Sequence, residues 1–451
     1  MKEIIVLIGA GSAMFTRGIL ADLIKQNKEI ELRLVDIDKD ILSIVEALSK
    51  KMIQAKNAPI KLDASTDRRE MLRGATTVIC TIGVGGRRAW EQDVFIPRKY
   101  GIYQPVGDSV MPGGTSRALR MIPPMVDIAK DVLDLAPDAL FFNYGNPMSA
   151  VCRGVRKITG ANMVGLCCGV NMIGNYLARI LDAKNKNYQY TAVGINHLTW
   201  FTEIRVDGQD MIPSMYEIAD HKIKNVIYEE LGTKRVEEGT AREDEELDQP
   251  FSWHLFKLFG AFPAVYDAHV IEFFPQFFAQ GKYFGKQVGD TCFIIEKTIA
   301  RGDKIYNEMK EQALSKDPLP ENYFDHIGGE HEQVTEIIDS IRTDAGRIYS
   351  VNLPNKGQVP NLPLNAVIEA NAIADSGGLK HIVQKPLTDG IAGILATKFA
   401  WVETIVEAAL EGSREKFIQA LILDGSVSSL DMATKMADEL LAAQAEYLHQ
   451  F

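Results

Sequence analysis

The stretch EIIVLIGAGS, residues 3–12, decides the fold of this chain. Its apolar run predicts a buried strand over residues 3–9, and the residues that follow predict a helix over 13–26. A strand that enters a helix through a Gly-Ala-Gly-Ser turn brings backbone amides to the helix N-terminus, where a pyrophosphate can bind. The stretch therefore predicts the first strand–helix unit of a dinucleotide-binding domain.

The candidate cofactor-binding residues of this turn are Gly9, Gly11 and Ser12. The third glycine of the usual GxGxxG pattern is replaced by methionine, so a purely structural turn is the alternative. The second predicted strand ends in Asp36, whose carboxylate can accept a hydrogen bond from an adenosine ribose and disfavours a 2′-phosphate. We therefore expect NAD rather than NADP, with Asp38 as the other possible ribose contact.

Strands and helices go on alternating through the first third of the chain. Further strands are predicted over 30–36, 60–65, 76–83, 139–147 and 162–169, and helices over 39–56, 115–134 and 149–158. Repeated alternation with short links predicts a parallel sheet covered by helices on both faces.

The pattern changes after about residue 190. The stretch TAVGINHLTWFTEIRVDGQDMI (191–212) alternates as antiparallel strands do, with a turn at Asp207-Gly208. Helical patterns dominate afterwards, notably over 291–313 and 388–447. The acidic segment 236–250 predicts a solvated loop or a frayed helix, with a mobile flap as the alternative. We therefore expect an α/β fold. A Rossmann-like, doubly wound NAD-binding domain (1–190) precedes a mixed α+β, mostly helical domain for substrate binding and oligomerisation (191–451).

Composition and charge exclude several classes of protein. The 451 residues are 46% hydrophobic and 24% charged, close to the globular average, which argues against disordered, collagen-like and coiled-coil chains. A net charge of -11 argues against nucleic-acid binding. No run approaches the ~18 apolar residues of a membrane helix, the first apolar stretch is too short for a signal peptide, and five cysteines suggest no disulfide framework. A cytoplasmic enzyme is the expectation.

A cysteine and a histidine stand where a ligand would bind. Cys167-Cys168 follows residues 162–166 within the strand predicted over 162–169, and His197 lies in the predicted strand GINHLTW (194–200). Ligands bind at the carboxyl ends of parallel strands, so both side chains can face the cofactor. A thiolate and an imidazole are good ligands for a divalent transition metal, and their spacing does not match a zinc finger. From the residues alone, core cysteines and a core or general-base histidine remain the alternatives.

Six segments occur together in a fixed order: GAGS (9–12), VGDSVMPGG (106–114), NYGNPMS (143–149), GLCCG (165–169), GINHLTW (194–200) and NLPNKGQVPNLPLNAVIE (352–369). In this combination the chain resembles glycoside hydrolase family 4. These are NAD- and manganese-dependent glycosidases whose fold is related to lactate and malate dehydrogenases. The resemblance implies that Cys167 and His197 coordinate Mn²⁺ or another divalent metal. It further implies that Asn146 contacts the substrate next to the nicotinamide, and that the protein is a homodimer or homotetramer.

The resemblance also implies an unusual reaction, because this family does not use the two-carboxylate mechanism of most glycosidases. NAD takes a hydride from carbon 3 of the sugar, a base removes the proton on carbon 2, the aglycone is eliminated, water adds and the hydride returns. Tyr266 and Asp267 are the candidate bases, with His269 and Glu272 as lesser options. Asp108 is expected to contact a substrate hydroxyl or assist the leaving group. The family usually has His or Asn directly after the metal cysteine, where this chain has Cys168.

The substrate is expected to be an unphosphorylated α-glycoside. The 6-phosphosugar branch of the family carries an arginine in a GGxxAR stretch, and this chain has GGRRAW (85–90) instead. Other segments resemble the α-galacturonidase branch, so an α-galacturonide is preferred, with an α-galactoside or α-glucoside possible. Arg87, Arg88 or Arg117 could pair with a sugar carboxylate, or could be surface or helix-capping residues. The other functions considered are a 6-phospho-glycosidase, a hydroxyacid dehydrogenase on the same fold and a non-catalytic nucleotide sensor.

Overall fold

One large mixed sheet organises the molecule. The structure, a computed structural model, describes residues 3–226, 228, 231, 249–327 and 333–451. Within these ranges, thirteen strands form a single sheet, and a small two-stranded sheet lies apart from it. The acidic segment for which a loop or flap was predicted lies outside the described residues, apart from its last two positions.

The first half of the chain forms a parallel sheet in the order β3-β2-β1-β4-β5-β6. Its strands are β1 (Glu3–Ile8), β2 (Ile30–Val35), β3 (Ile60–Ser65), β4 (Thr77–Cys80), β5 (Leu140–Asn143) and β6 (Met163–Gly165). Its helices are α1 (Thr16–Gln26), α2 (Lys39–Ala55), α3 (Arg68–Leu72), α4 (Gly86–Lys99), α5 (Met111–Leu135), α6 (Met148–Thr159) and α7 (Gly169–Ile180). This strand order is that of the doubly wound dinucleotide-binding fold, and it confirms the predicted fold class.

The second half extends the same sheet with antiparallel strands, in the order β6-β13-β14-β7-β8-β10. The strands are β7 (Tyr188–Ile195), β8 (Leu198–Val206), β9 (Gln209–Asp210), β10 (Phe262–Ala264), β11 (Lys282–Tyr283), β12 (Lys286–Gln287), β13 (Arg347–Pro354), β14 (Val367–Asp375) and β15 (Gly378–His381). The helices are α8 (Ile212–Lys224), α9 (Pro250–Phe259), α10 (Asp267–Val270), α11 (Ile295–Leu314), α12 (Val334–Thr343), α13 (Asp389–Glu411), α14 (Arg414–Asp424) and α15 (Leu430–Ala443). The β13–β14 hairpin lies in a region where helices were expected to dominate.

Both faces of the sheet are buried, as the apolar runs predict. In β1, Val6 and Ile8 belong to one core cluster, whereas Ile5 and Leu7 belong to the cluster on the opposite face. Alternate side chains of a strand point to opposite faces of the sheet. A strand that is apolar at every position must therefore be covered by other elements on both faces. Each such side chain contributes about 1.5–3 kcal/mol when fully buried.

The sheet joins the two halves of the chain without interruption. Asn352 of β13 pairs with Gly165 of β6, and Glu369 of β14 pairs with Gly194 of β7. The domain boundary at residue 190 stays a prediction. Among the helices of the described ranges, none has the length and apolar composition that a bilayer crossing requires.

Candidate active site

The Gly-Ala-Gly-Ser turn forms a tight corner at the carboxyl end of β1. Gly9 has a φ of +85°, and a Cβ there would lie 2.7 Å from the backbone nitrogen of Ile82. The amides of Gly9 and Ala10 both donate to the carbonyl of Val35, at 2.9 and 3.0 Å. Only glycine tolerates this conformation at such a close approach, so the corner stays open for a ligand in front of the sheet.

Asp36 and Asp38 have different roles at the end of β2. The amide of Gly11 donates to Asp36 Oδ2 at 2.8 Å, which places this carboxylate against the glycine turn. Asp38 caps α2, because its side chain accepts from the amides of Asp40 and Ile41. The geometry therefore favours Asp36, rather than Asp38, as the candidate ribose contact.

His197 occupies a turn, and its prediction as a strand residue was wrong. Ile195 of β7 pairs with Leu198 of β8, so Asn196 and His197 are the two residues of a hairpin loop. His197 has a φ of +66°, in the left-handed region that the second central residue of a type II turn adopts. The predicted turn at Asp207-Gly208 is also present, between β8 and β9. The loop projects the imidazole from the sheet toward the end of β6.

Cys167 and His197 lie side by side, as the metal-site hypothesis requires. Cys167 follows β6, and its side chain interacts with that of His197. A hydrogen bond with Cys168 and the charge of His197 hold the pKa of Cys167 well below its ordinary value, although burial opposes this. Burial alone would lower the pKa of His197, but the Cys167 thiolate raises it to about 9. The two shifts support each other, because the charged form of either side chain favours the charged form of the other.

A carboxylate and a second imidazole complete the cluster. Ligand atoms of Asp108, His197 and His269 all lie within 4.8 Å of one another. Ser109 Oγ lies 2.8 Å from His197 Nδ1 and donates to Asp108 Oδ1 at 2.7 Å. The charges of the two histidines and a nearby arginine keep the pKa of Asp108 below its ordinary value, against the effect of burial. These carboxylate and imidazole donors fit a divalent transition metal, and the Cys167 thiol adjoins the group through its contact with His197.

Asn146 joins this cluster from the end of β5. Its Nδ2 donates to Asp108 Oδ2 at 3.0 Å. Its Oδ1 is buried and has no hydrogen-bond partner among the described residues. A buried acceptor without a partner is costly, so this oxygen is suited to a ligand hydroxyl or amide.

Glu369 links the two segments that carry Cys167 and His197. Its Oε2 accepts from Thr199 Oγ1 at 2.6 Å and from Asn196 Nδ2 at 3.5 Å. Its Oε1 accepts from Asn352 Nδ2 at 3.3 Å, and that amide group also donates to the carbonyl of Gly165. Burial raises the pKa of Glu369 to about 8. One buried carboxyl thus connects the His197 loop to the strand end that precedes Cys167.

A second buried carboxyl supports the Asp108 loop. Glu272 Oε1 accepts from the amides of Val106 and Gly107, each at 2.8 Å. Burial raises the pKa of Glu272 to about 8. These bonds hold the backbone just before Asp108 in place, so Glu272 contributes to the direction in which that carboxylate points.

The two candidate bases differ in their availability. Both oxygens of Asp267 accept hydrogen bonds, which come from the amides of Phe251 and Ser252, the Ser252 hydroxyl and the Tyr283 hydroxyl. Tyr266 precedes α10, and burial together with the charge of Cys168 raises the pKa of its phenol. The geometry therefore favours Tyr266, because the Asp267 carboxylate is already used to anchor the start of α9.

The arginines proposed to bind substrate lie in two environments. Arg87 and Arg88, in the first turn of α4, both pair with Asp303 of α11, at 2.6 and 2.7 Å. Arg117 is partly buried, donates to the carbonyl of Asn146 at 3.1 Å and lies close enough to influence the pKa of Asp108. The structure thus places Arg117 at the cluster, whereas Arg87 and Arg88 form ion pairs that link α4 to α11.

Sequence reasoning missed Ser109, Asn196 and Glu369, and it ranked His269 and Glu272 below Tyr266 and Asp267 as bases. Glu369 left a visible signal, since it is a single acidic residue within the apolar run AVIEANAIA (366–374). A charged residue at the centre of a buried strand is rare unless it is paired or functional. The others became visible only when the turns were placed.

Comparison with known protein families identifies the family of this chain. The model described as "Family 4 glycosyl hydrolase" matches residues 4–183, and that of the "Family 4 glycosyl hydrolase C-terminal domain" matches residues 192–427. An alpha-glucosidase of Erwinia rhapontici is 30% identical, over 100% of this chain and 99% of that protein. An alpha-galacturonidase of Bacillus subtilis is 28% identical, over 93% of this chain and 92% of the relative.

A solved structure shows the same fold. The 6-phospho-alpha-glucosidase from gut microorganisms, in complex with NAD and Mn²⁺, superposes with a TM-score of 0.82 at 18% identity, and the match covers 99% of each chain. The family models together cover nearly the whole sequence, including the turns that carry the cysteine, the two histidines and Asp108. The chain therefore belongs to family 4 of the glycosyl hydrolases.

Proposed function

We propose that the protein is an NAD- and Mn²⁺-dependent α-glycosidase that acts on an unphosphorylated sugar, with an α-galacturonide preferred. The observation that carries this proposal is the contact between Cys167 and His197, with Asp108 and His269 beside them. The cluster lies at the carboxyl edge of the sheet, where doubly wound proteins bind their ligands.

The chain supplies a fitting site for each cofactor. Cys167 and His197 would hold the metal, with Asp108 and His269 as additional donors, and the Gly9–Ser12 turn with Asp36 would hold NAD. When bound, NAD accepts and returns a hydride at carbon 3 of the sugar, while the metal acts as a Lewis acid toward the sugar oxygens. Family relatives with NAD and Mn²⁺ bound support this assignment.

Proton transfer falls to residues beside the cluster. Tyr266 is the proposed base for the proton on carbon 2, since Asp267 is fully hydrogen-bonded. Burial raises the pKa of its phenol, so a cation held beside it would favour the phenolate form that a base requires. Asp108 stays ionised and receives a hydrogen bond from Asn146, so it can accept a proton or a hydrogen bond from a substrate hydroxyl.

The preference for an unphosphorylated uronide rests on two side chains. Trp90 stands where the 6-phosphosugar branch carries arginine, and its Nε1 donates to the carbonyl of Val106 at 2.8 Å. Trp90 therefore stabilises the loop before Asp108 and offers no charge to a phosphate. Arg117 is the proposed partner of a sugar carboxylate, because a guanidinium can bind a carboxylate through two hydrogen bonds. Arg87 and Arg88 are weaker candidates, because Asp303 already pairs with them.

A substrate panel tests the proposal. Nitrophenyl α- and β-glycosides, uronides and 6-phosphates are assayed with NAD, Mn²⁺ and a reductant. We expect cleavage of the α-uronide that depends on both cofactors and is abolished by chelation. Cleavage of only the 6-phosphates would instead establish the 6-phospho-glycosidase alternative. Net NADH production from a hydroxy acid without metal would establish the dehydrogenase alternative.

Isotope exchange tests the elimination route. With deuterium at carbon 2 of the substrate, we expect the product to carry solvent hydrogen at that position. Complete retention of deuterium in the product would exclude removal of that proton.

The oligomeric state, expected to be a homodimer or homotetramer, is measured by light scattering.

A further inference from the structure

A large cleft lies beside the candidate active site. Its volume is about 850 Å³, and its walls come from β7, β8, β13 and the segment 382–388 that follows β15. This volume is near the upper end of the ~300–1,000 Å³ typical of ligand sites, so the space exceeds what a small alcohol would fill. Neither the cofactor-binding turn nor the Asp108 loop contributes to it.

The cleft is continuous with the candidate metal site through Cys167. Cys167 is one of the wall residues, as is Asn171 in the first turn of α7. The sheet register explains this position, because Gly165 pairs with Asn352 and the wall residue Ser350 lies two positions before Asn352. A sugar held at Cys167 would therefore have the cleft on one side of it.

The lining combines aromatic rings with polar groups. Tyr188, Tyr190 and Tyr349 contribute rings, which offer an apolar face and a polar tip. The Tyr188 hydroxyl and Ser350 Oγ are buried and have no hydrogen-bond partner among the described residues. Buried hydroxyls without partners are costly, and hydroxyl-rich ligands can satisfy them. Asn371 lies beside Ser350 in the neighbouring strand and is also part of the wall.

The charges of the lining are nearly balanced. Glu203 of β8 pairs with Lys385 across the cleft, between two of its walls. Arg205 is the remaining charged wall residue among those described, and its guanidinium donates to the carbonyl of Gly208. A neutral or mildly anionic ligand is therefore favoured over a cationic one.

We propose that this cleft binds the aglycone of the substrate, and that the natural aglycone is an oligosaccharide rather than a small alcohol. The inference rests on the proposed glycosidase function. It depends on the contact with Cys167, the tyrosine-rich wall and the two hydroxyls without partners. Binding there would raise substrate affinity without adding a group to the bond-breaking step.

The test compares a short and a long aglycone on the same sugar. The two substrates are the nitrophenyl α-galacturonide and the α-linked trigalacturonide, or the corresponding pair for the sugar that the panel identifies. Ile348, at 56% exposure on the cleft wall, is replaced in Ile348→Trp to fill the space. Val383→Trp, at a wall residue with 75% exposure, gives a second block that does not disturb the core. Ile158→Trp, at an exposed residue outside the cleft wall, is the matched control.

The expected result is a change in KM for one substrate only. Both cleft variants should raise the KM of the trisaccharide about tenfold, leave its kcat unchanged and leave the nitrophenyl glycoside unaffected, since uniform binding is what is lost. An equal KM for both aglycones in the parent, or equal shifts for both substrates, would overturn the cleft assignment alone. A change in the oligomeric state of the cleft variants, measured by light scattering, would also overturn it, because the cleft would then be the contact surface for a second copy of the chain. Failure to cleave any glycoside would instead refute the proposed function.

Discussion

Replacing Glu369 with leucine should weaken metal binding although Glu369 is not itself a proposed ligand. The carboxyl accepts from Thr199, Asn196 and Asn352, and so ties the His197 loop to the strand end before Cys167. Leucine has a similar volume but accepts no hydrogen bond. The two proposed metal ligands would then lose the connection that fixes their relative position.

The magnitude follows from the partners that are left behind. The Thr199 hydroxyl has a second acceptor in the carbonyl of Ile195, at 3.2 Å, so it adapts at little cost. Asn352 Nδ2 keeps its bond to Gly165, but Asn196 Nδ2 loses its bond to the carboxyl, and one buried donor without a partner costs about 1–3 kcal/mol. Loss of partners that orient metal ligands typically reduces metal affinity by about 10–100-fold. We expect a loss of that size in Mn²⁺ affinity and a lower thermal midpoint.

Calorimetric titration of the metal-free protein with Mn²⁺ measures this effect without relying on turnover. Glu369→Gln is the matched control. The glutamine carbonyl can still accept from Thr199 and Asn196, so Glu369→Gln should lose less Mn²⁺ affinity than Glu369→Leu. NAD affinity is the second control, since the turn after β1 is separate from this network.

An unchanged Mn²⁺ affinity in a folded Glu369→Leu protein would refute the reasoning, because the hydrogen bonds would then not position the ligands. A loss of NAD affinity as large as the loss of Mn²⁺ affinity would point to general disorder of the site instead.

Three further predictions follow from side chains in and around the site. Cys167→Ser should remove most Mn²⁺ binding and all metal-dependent activity while leaving NAD binding intact, as calorimetry with each ligand would show; parent-like hydrolysis would contradict the metal assignment. Burial lowers the pKa of His381 to about 4, whereas the same side chain in the unfolded protein has a pKa near 6.5. Because the unfolded protein binds the proton first, the free energy of unfolding should fall by up to about 3 kcal/mol as the pH drops between these values. His381→Gln should flatten this part of a pH series of unfolding midpoints, and an unaltered slope would count against the assignment. Arg120 pairs with Asp93 through two hydrogen bonds, at 2.9 and 2.5 Å, and both side chains are fully buried. Arg120→Met should therefore lower the free energy of unfolding in urea by about 3–5 kcal/mol, and the double variant Arg120→Met/Asp93→Leu should lower it distinctly less. A double variant no more stable than the single one would show that the charge left behind is not the cause.

The first half of the fold was predictable because its signals are local. From Glu3 to Ser65, each strand and each helix was predicted to within a few residues, since an apolar run or an amphipathic stretch marks it. The largest error is the start of α1, at Thr16 rather than residue 13. Ser12 Oγ accepts from the amide of Phe15, so a turn comes before the helix.

The second half was harder because its pairings are distant in sequence. β13 joins β6 from almost two hundred residues away, and neither strand indicates its partner. The hairpin loop at Asn196-His197 contains no glycine, so the run 194–200 read as one continuous strand. Tertiary pairing decided the register there, and it placed a metal-ligand candidate in a loop.

The candidate metal site lies where the two halves of the polypeptide meet in the continuous sheet. Cys167 belongs to the part matched by the first family model and His197 to the part matched by the second. A divalent ion bound by both residues would link the two halves. Its binding free energy would therefore also stabilise the halves against separation. Metal binding and the stability of the enzyme would then be coupled through Cys167 and His197.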